Sequence, residues 1–339
     1  MFSKPSIVTI FSMIALYAGV GSADNQEGTS DLNFLVMGDW GGSDKAPYTT
    51  VAEQRTAQGM DKIAGSTGAR FTLALGDNFY YSGVTSLDDH RFNDTFENVF
   101  IGSNLQGENF FRLLAGNHDH NGNVTAQILY SNVSSRWHYP DYYYDFEEAY
   151  GKFFKLHVIM LDTVIISGAS ETKEGVTLMG DEYEAPKCKL KADAQIAWLE
   201  STLEASDADI IIVAGHYPVW SICEHGPTAT LLTSVKPLLE KYGVAAYLSG
   251  HDHCEEVIQD GDDNVVYHGI GSANFNDPST AHEKLIPSDS LKFHAGSEET
   301  GGFARVLLKG DTGGLIIEHY DGDGTLKYTA DEVKIRTNK

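Results

Sequence analysis

Apolar runs that end in glycine, aspartate or histidine recur between residues 32 and 253. Each run is typical of a strand buried on both faces, and polar residues follow it directly. The runs with their polar ends are 32–42, 70–78, 110–120, 156–163, 209–218 and 243–253. Helical patterns lie between several of them, at 48–63, 88–100, 124–133, 192–203 and 231–242. Alternating strands and helices predict an α/β fold whose functional residues lie beyond the carboxyl ends of the strands.

The pattern changes after residue 260, where apolar and polar positions alternate and Gly-Asp turns separate the segments. The segments are 264–272, 301–310, 314–324 and 326–333. Alternation of this kind predicts antiparallel strands. Because no linker or change of composition separates them from the rest, we predict one domain over residues 24–339, in which a second sheet packs against the first.

The first residues are predicted to lie outside this domain. Lys4 precedes a largely apolar stretch at 7–20, and the small residues at 21–23 offer a cleavage site. This pattern predicts a signal peptide over residues 1–23. An uncleaved membrane anchor is the alternative, although the stretch is too short, and too polar at its end, for a typical bilayer span. We therefore expect a secreted or lysosomal protein with no membrane contact after cleavage.

Charge and glycosylation motifs narrow the possible partners. The formal net charge of −24 argues against nucleic-acid partners, because an acidic surface repels phosphate backbones. Asn-X-Ser/Thr sequons at Asn93, Asn123 and Asn132 predict N-glycosylation, which agrees with a secreted chain. We expect a monomer.

The polar ends of the predicted strands carry candidate metal ligands. They supply two carboxylates, three imidazoles, one amide and one phenol: Asp39, Asp77, Tyr80, Asn117, His216, His251 and His253. All are metal-ligand types, and side chains at neighbouring strand ends can converge although they are distant in sequence. Seven donors are too many for one ion. Two ions about 3.5–4 Å apart, bridged by a carboxylate, would form a clamp for in-line displacement at phosphorus.

Packing and turn roles are the alternative for each residue taken singly. An aspartate at a strand end is often a helix cap or a turn residue. The order GDxG, GDNxxY, GNHD, GHYP and GHDH is harder to explain in that way. Asp162, His157 and His268 lie outside this order, and we expect structural roles for them.

This ordered set resembles the metallophosphoesterase superfamily, and the tyrosine makes it similar to purple acid phosphatases of the small, tartrate-resistant animal type. The similar stretches are GDWGG, GDNFYYSGV, AGNHDHNGNV, LDTV, AGHYPVWSI, EHGPT, YLSGHDH and GGFA, and they extend from Leu32 to the last strands. The resemblance implies an α/β fold with two mixed β-sheets packed as a sandwich flanked by helices. It also implies an acid phosphatase that hydrolyses phosphate monoesters, either small molecules or phosphoproteins.

The resemblance implies two metal ions. The ferric ion would be bound by Asp39, Asp77, Tyr80 and His253, and a divalent ion (Fe²⁺, Zn²⁺ or Mn²⁺) by Asp77, Asn117, His216 and His251. The phenolate of Tyr80 on iron would give the purple colour. Bound metals lower the pKa of water, so that hydroxide is available at acid pH to attack phosphorus.

Proton transfer to the leaving group needs a further residue, and His118 and His225 are the candidates implied by the resemblance. Hydrogen bonding that supports the metal ligands is their alternative role, and for His120 we predict only that role. The long segment 167–187 aligns roughly with the regulatory loop of the family, and we expect it to cover part of the metal centre.

The three cysteines predict one disulfide. Three cysteines allow at most one bridge, and we predict Cys188–Cys223, because Cys254 directly follows a candidate metal ligand.

A secreted iron-binding glycoprotein with incidental phosphatase activity is the main alternative function. Another binuclear phosphoesterase, such as a protein phosphatase or phosphodiesterase, is the second, and Tyr80 argues against it.

Overall fold

The structure is a computed structural model that describes residues 30–167, 185–261, 264–295 and 301–337. The predicted signal peptide at 1–23 and nearly all of the segment 167–187 lie outside these ranges. None of the helices in the described ranges combines the length and the apolar character that a bilayer crossing requires.

One sheet is formed mainly by strands from the two ends of the chain. In the described residues its strands are β1 (Leu32–Met37), β2 (Thr72–Ala74), β3 (Phe111–Leu113), β4 (Trp137–His138), β12 (Gly302–Leu308), β13 (Leu315–Asp321) and β14 (Leu326–Thr329). Their spatial order is β14-β13-β12-β1-β2-β3-β4. The pairs from β1 to β4 are parallel, whereas β12, β13 and β14 add antiparallel strands beyond β1.

The other sheet is formed by the middle of the chain. Its strands in the described residues are β5 (Tyr144–Tyr150), β6 (Phe154–Met160), β7 (Ile210–Ala214), β8 (Ala246–Ser249), β9 (Glu255–Ile258), β10 (Val266–Ile270) and β11 (Leu291–Ala295). Their order is β11-β9-β10-β8-β7-β6-β5, with parallel pairing from β6 through β7 and β8 to β10. Both sheets are therefore mixed.

Helices cover the sheets and connect the parallel strands. They are α1 (Val51–Thr67), α2 (Asn117–His120), α3 (Val124–Tyr130), α4 (Thr163–Ser167), α5 (Ala185–Ala205), α6 (Ala229–Ser234) and α7 (Lys236–Lys241), with a π-helix at Phe92–Glu97 and 3₁₀ turns at Ser103–Leu105 and Glu283–Leu285. Helix α1 begins with a capping box, in which the Thr50 hydroxyl accepts from the Glu53 amide and the Glu53 carboxylate accepts from the Thr50 amide. It ends at Gly68, whose φ of 67° breaks the helix.

The main core lies between the two sheets, where Phe34 and Val36 of β1 share one apolar cluster with Ile212 of β7 and Leu248 of β8. A second cluster lies on the other face of the central strands, where Val213 of β7 packs under helices α5 to α7. Strand β7 is buried on both faces, which explains why its sequence is a continuous apolar run.

The predicted α/β sandwich of two mixed sheets is confirmed, with differences in detail. The last three strands extend the sheet that begins with β1 and form no separate layer, because β12 pairs with β1. Strand β10 pairs in parallel with β8, although its alternating sequence predicted only antiparallel partners. The predicted helix at 88–100 contains only the π-helix Phe92–Glu97 in its middle. Strands β4, β5, β9 and β11 were not predicted.

Candidate metal centre

The centre lies where parallel strands of both sheets end. Asp39 and Asp77 follow β1 and β2, Asn117 begins helix α2 after β3, and His216 follows β7, whereas His251 and His253 lie in the turn after β8. The two aspartates and His251 have φ values of 57°, 50° and 70°, in the left-handed backbone region that residues other than glycine seldom adopt.

Glycines in the motifs make room for the carboxylates. A Cβ atom on Gly116 would collide with the Asp77 carboxylate, and a Cβ atom on Gly250 would collide with the Asp39 carboxylate. The Gly-Asn-His and Gly-His-Asp sequences therefore need glycine because the backbone approaches an acid closely.

Asp39, Tyr80 and His253 form one group of donors. The Tyr80 hydroxyl donates to Asp39 Oδ1 at 2.9 Å, and its oxygen is 3.1 Å from His253 Nε2. His253 Nε2 is also 3.6 Å from Asp39 Oδ1. A phenol, a carboxylate and an imidazole thus point at one place.

Asp77, Asn117 and His216 form the adjoining group. His216 Nδ1 faces the Leu75 carbonyl at 2.9 Å, so this nitrogen carries the proton and Nε2 carries a lone pair. That Nε2 is 2.9 Å from Asn117 Oδ1 and 3.4 Å from Asp77 Oδ1. Three electron-pair donors therefore face one another, an arrangement that a shared cation would stabilise.

Asp39 and His251 connect the two groups. The His251 amide donates to Asp39 Oδ2 at 2.7 Å, and the His251 ring centroid is 5.1 Å from that of His216. One ligand atom each of Asp39, Asp77 and His216 lie within 4.8 Å of one another. All seven residues predicted as metal ligands are thus brought close together, and their role as ligands stays a prediction.

The electrostatics of this cluster favour a cation. Burial and the neighbouring Asp77 raise the pKa of Asp39 well above its usual range. Burial also acts to raise the pKa of Asp77, but the imidazoles of His216 and His118 outweigh it and the net direction is downward. Burial lowers the pKa of His253 to about 4, which leaves that imidazole neutral. Two carboxylates buried this close together are costly without a compensating positive charge.

The donor set fits two metal ions. Carboxylate, phenolate and imidazole suit a ferric ion on the Tyr80 side, and carboxylate, amide oxygen and imidazole suit a divalent first-row ion on the Asn117 side. Burial, followed by the charge of Asp39, raises the pKa of the Tyr80 phenol. A phenolate can therefore form there only if a strongly charged cation replaces the proton.

The two predicted proton donors lie at the rim. His118 Nδ1 donates to the Tyr81 carbonyl at 2.7 Å, which leaves Nε2 directed to the centre, 3.9 Å from Asp77 Oδ2. The side chain of His118 is 25% exposed, so a substrate can reach it. His225 is exposed, and its ring stacks on the His251 ring at a centroid distance of 4.3 Å.

The other histidines and Asp162 have structural partners. The side chain of His120 is only 5% exposed, and its Nε2 lies 2.7 Å from Asp162 Oδ2, which is not a proposed ligand, so the predicted support of a metal ligand by His120 stays a prediction. Asp162 also accepts from the Ile165 amide at the start of α4. His157 lies between Asp145 and Ser206, and His268 lies 3.0 Å from His319.

Two buried residues that support the ligand loops were not predicted. Asp119 accepts from the amides of Gly116 and Asn78, so it joins the loops that carry Asn117 and Asp77. Arg91 donates to the carbonyls of Gly41 and Tyr80, both at 2.7 Å. Asp119 is part of the GNHD motif and could have been found there, whereas Arg91 lies in a predicted helix with no local signal.

Comparison with known proteins agrees with this geometry. The model of the calcineurin-like phosphoesterase family matches residues 32–255. Tartrate-resistant acid phosphatase type 5 of Oryctolagus cuniculus is 46% identical over 83% of this chain and 85% of its own length. Purple acid phosphatase 17 of Arabidopsis thaliana is 31% identical over 75% of this chain and 73% of its own length. The chain belongs to the purple acid phosphatases.

Solved structures support the fold of this purple acid phosphatase. GAP50, described as the anchor in the inner membrane complex of Plasmodium, superposes with a TM-score of 0.73 at 23% identity, over 91% of this chain and 90% of that chain. At this identity the similarity concerns the fold alone. The predictions of a metallophosphoesterase and of an acid phosphatase are confirmed by the family, which also implies a binuclear, iron-type centre.

The predicted disulfide pairing is wrong. Cys223 bonds to Cys254 with an S–S distance of 2.03 Å, so it has no free sulfur for Cys188. The physical reason is the sheet order: β7 and β8 are neighbours, and the segments that follow them bring the two cysteines to a Cα–Cα distance of 6.8 Å. The proximity of Cys254 to the metal centre, which had argued against its pairing, is shared by Cys223.

The three sequon asparagines, Asn93, Asn123 and Asn132, are exposed, so each is accessible to a glycan. Their glycosylation stays a prediction. The predicted cover of the metal centre by the segment 167–187 falls almost wholly outside the described residues.

Proposed function

We propose that this purple acid phosphatase hydrolyses phosphate monoesters at acid pH with two metal ions. The ferric ion would be held by Asp39, Asp77, Tyr80 and His253, and the divalent ion by Asp77, Asn117, His216 and His251. The observation that carries the proposal is the pair of adjoining donor groups, whose lone pairs face one another in a buried site. When bound, the two ions supply charge neutralisation for the phosphate dianion and activate water as the nucleophile.

The rim histidines supply the proton chemistry. Because His118 Nδ1 is committed to the Tyr81 carbonyl, only its Nε2 can exchange a proton with a bound substrate. His225 lies on the His251 side of the centre, with its ring stacked on the His251 ring, so the two imidazoles would flank a phosphate bound there. A protonated imidazole at either position can donate to the departing alkoxide.

Two imidazoles at the rim distinguish a hydrolase from an iron-binding protein, because metal retention needs no proton donor.

We also propose that the mature protein is a secreted or lysosomal glycoprotein. The exposed sequons and the Cys223–Cys254 disulfide support this location, since disulfides persist in oxidising compartments.

Replacing both rim histidines tests the assignment. The variant His118→Ala/His225→Ala should retain its metal content, because neither residue is a proposed ligand. Its kcat at acid pH for an alkyl phosphate such as glycerol phosphate, whose leaving group needs a proton, should fall by about 10²-fold or more, the usual contribution of a general acid. His90→Ala is the matched control, since His90 is an exposed histidine paired with Asp94 outside the site.

The control should keep wild-type kcat. Unchanged turnover in the double variant with full metal content would contradict the catalytic role of the histidines. A preference of the wild-type protein for diesters over monoesters would instead contradict the proposed reaction.

A further inference from the structure

The segment that carries His225 is fastened to the metal-ligand turn at several points. Asp252 lies between His251 and His253, and its carboxylate accepts from the His225 amide at 2.6 Å and from the Gly226 amide at 3.0 Å. The disulfide joins Cys223, two residues before His225, to Cys254, two residues after Asp252. Residues 223–226, named here the His225 loop, thus have covalent and polar links to one turn.

The turn on the other side of these links is itself fixed. Its His251 amide donates to Asp39 Oδ2 at 2.7 Å, and Asp252 is only 1% exposed. A displacement of this turn would therefore also displace the His225 loop.

A further contact holds the His225 loop from the opposite side. His282 Nδ1 lies 2.6 Å from the Cys223 carbonyl, and the His282 amide donates to the Ile222 carbonyl at 2.9 Å. A Cβ atom on Gly226 would lie 2.5 Å from the His282 ring, so glycine is needed where the two segments meet. The backbone of the His225 loop is thus held from both sides. The His225 ring stacks on the His251 ring, and its centroid lies 6.4 Å from that of His253.

We propose that Asp252 and the Cys223–Cys254 disulfide are positioning elements that fix His225 beside the metal centre for proton transfer to the leaving group. The proposal rests on the proposed function, in which His225 is a proton donor. Neither Asp252 nor the disulfide touches the reacting atoms. Their effect on catalysis acts through the placement of one imidazole, for which small displacements are costly.

The dependence on the leaving group separates positioning from a general structural role. Glycerol phosphate releases an alkoxide that needs a proton, whereas p-nitrophenyl phosphate releases a stable phenolate that does not. In Asp252→Asn, and in Cys223→Ser/Cys254→Ser, kcat for glycerol phosphate should fall by about tenfold or more, because a misplaced acid loses much of its contribution. The kcat for p-nitrophenyl phosphate, both KM values and the metal content should change little.

A double-mutant cycle with His225→Ala completes the test. If Asp252 acts through His225, Asp252→Asn should not lower the glycerol phosphate to p-nitrophenyl phosphate ratio further in the His225→Ala background. Asp321→Asn is the matched control, because the Asp321 carboxylate likewise accepts two backbone amides, those of Asp323 and Thr325, in the β13–β14 turn. It should leave the ratio unchanged.

Amide hydrogen exchange gives a readout that does not depend on activity. Asp252→Asn should speed exchange in the peptide that contains the His225 and Gly226 amides, with less change in the peptides of β7 and β8. Unchanged exchange there would overturn the proposal.

An equal fall on both substrates, loss of metal, or a further fall in the His225→Ala background would also overturn it. Absence of phosphatase activity in the metal-loaded wild type would contradict the proposed function itself, so the two failures are distinguishable.

Discussion

Individual buried acids show how far this protein depends on compensating charge. Asp39 and Asp77 are buried together, and the groups around them at the floor of the site are imidazoles, a phenol and an amide. Asp119 accepts from the amide of Asn78, the residue after Asp77, and its pKa is raised to about 6 by burial and by the charge of Asp77. Each carboxylate is inexpensive to bury only when protonated, hydrogen-bonded or bound to a cation.

Glu256 allows this cost to be measured away from the metal ligands. Burial raises its pKa to about 8, and in the described part of the chain its Oε1 has no hydrogen-bond partner. A raised folded-state pKa means that the folded protein binds the extra proton. The free energy of unfolding should therefore fall by about 1.4 kcal/mol per pH unit from this residue as the pH rises through the range between roughly 4.5 and 8.

The variant Glu256→Gln removes that titration. Urea unfolding should give equal stabilities for the variant and the wild type near pH 5, and a more stable variant near pH 8. If the difference between the two proteins is constant across this range, Glu256 does not titrate as described.

Among the elements, the short π-helix Phe92–Glu97 illustrates how a connecting segment supports the site. Arg91, at its start, donates to the Gly41 and Tyr80 carbonyls in the loops after β1 and β2, and its Nε donates to Thr95. The guanidinium also lies over the Phe79 ring at 5.7 Å. Two ligand loops from separate strands are thus joined by one side chain.

Truncation of the Arg91 side chain should lower the free energy of unfolding. Arg91→Ala leaves the buried Tyr80 carbonyl without its donor and leaves the Gly41 carbonyl with only the Tyr80 amide. The free energy of unfolding should therefore fall by about 3 kcal/mol, and metal affinity should fall with it. Arg70→Ala is the control, since Arg70 is about half exposed in its ion pair with Glu148 and should cost about 0–1 kcal/mol. Equal losses in the two variants, measured by urea unfolding, would contradict a supporting role for Arg91.

The elements also show where sequence reasoning succeeds. Continuous apolar runs such as that of β7, followed by glycine and a polar residue, predicted the buried strand and placed the candidate ligand His216 directly after it. The partners of β10 and β12 could not be predicted in this way, because alternation describes the exposure of a strand and not its neighbour. Arg91 and the Cys223–Cys254 pair depend on which loops become adjacent, and that is known only when the sheet order is known.

At the scale of the whole molecule, the sandwich brings the carboxyl ends of parallel strands from two sheets to one edge. Asp39 and Asp77 come from one sheet, and His216, His251 and His253 come from the other. The candidate metal centre is therefore assembled only when the two sheets are packed. Metal binding should in turn stabilise the packed state by mass action.

The central claim is that the seven candidate ligands bind two metal ions, with Tyr80 as a phenolate on iron. The visible absorption spectrum of the purified protein, recorded together with its metal content, tests this most directly. We predict two metals per chain, at least one of them iron, and a band in the green to yellow region that disappears in Tyr80→Phe and survives in Tyr81→Phe. A colourless wild-type protein without iron, or a band that persists in Tyr80→Phe, would contradict the account.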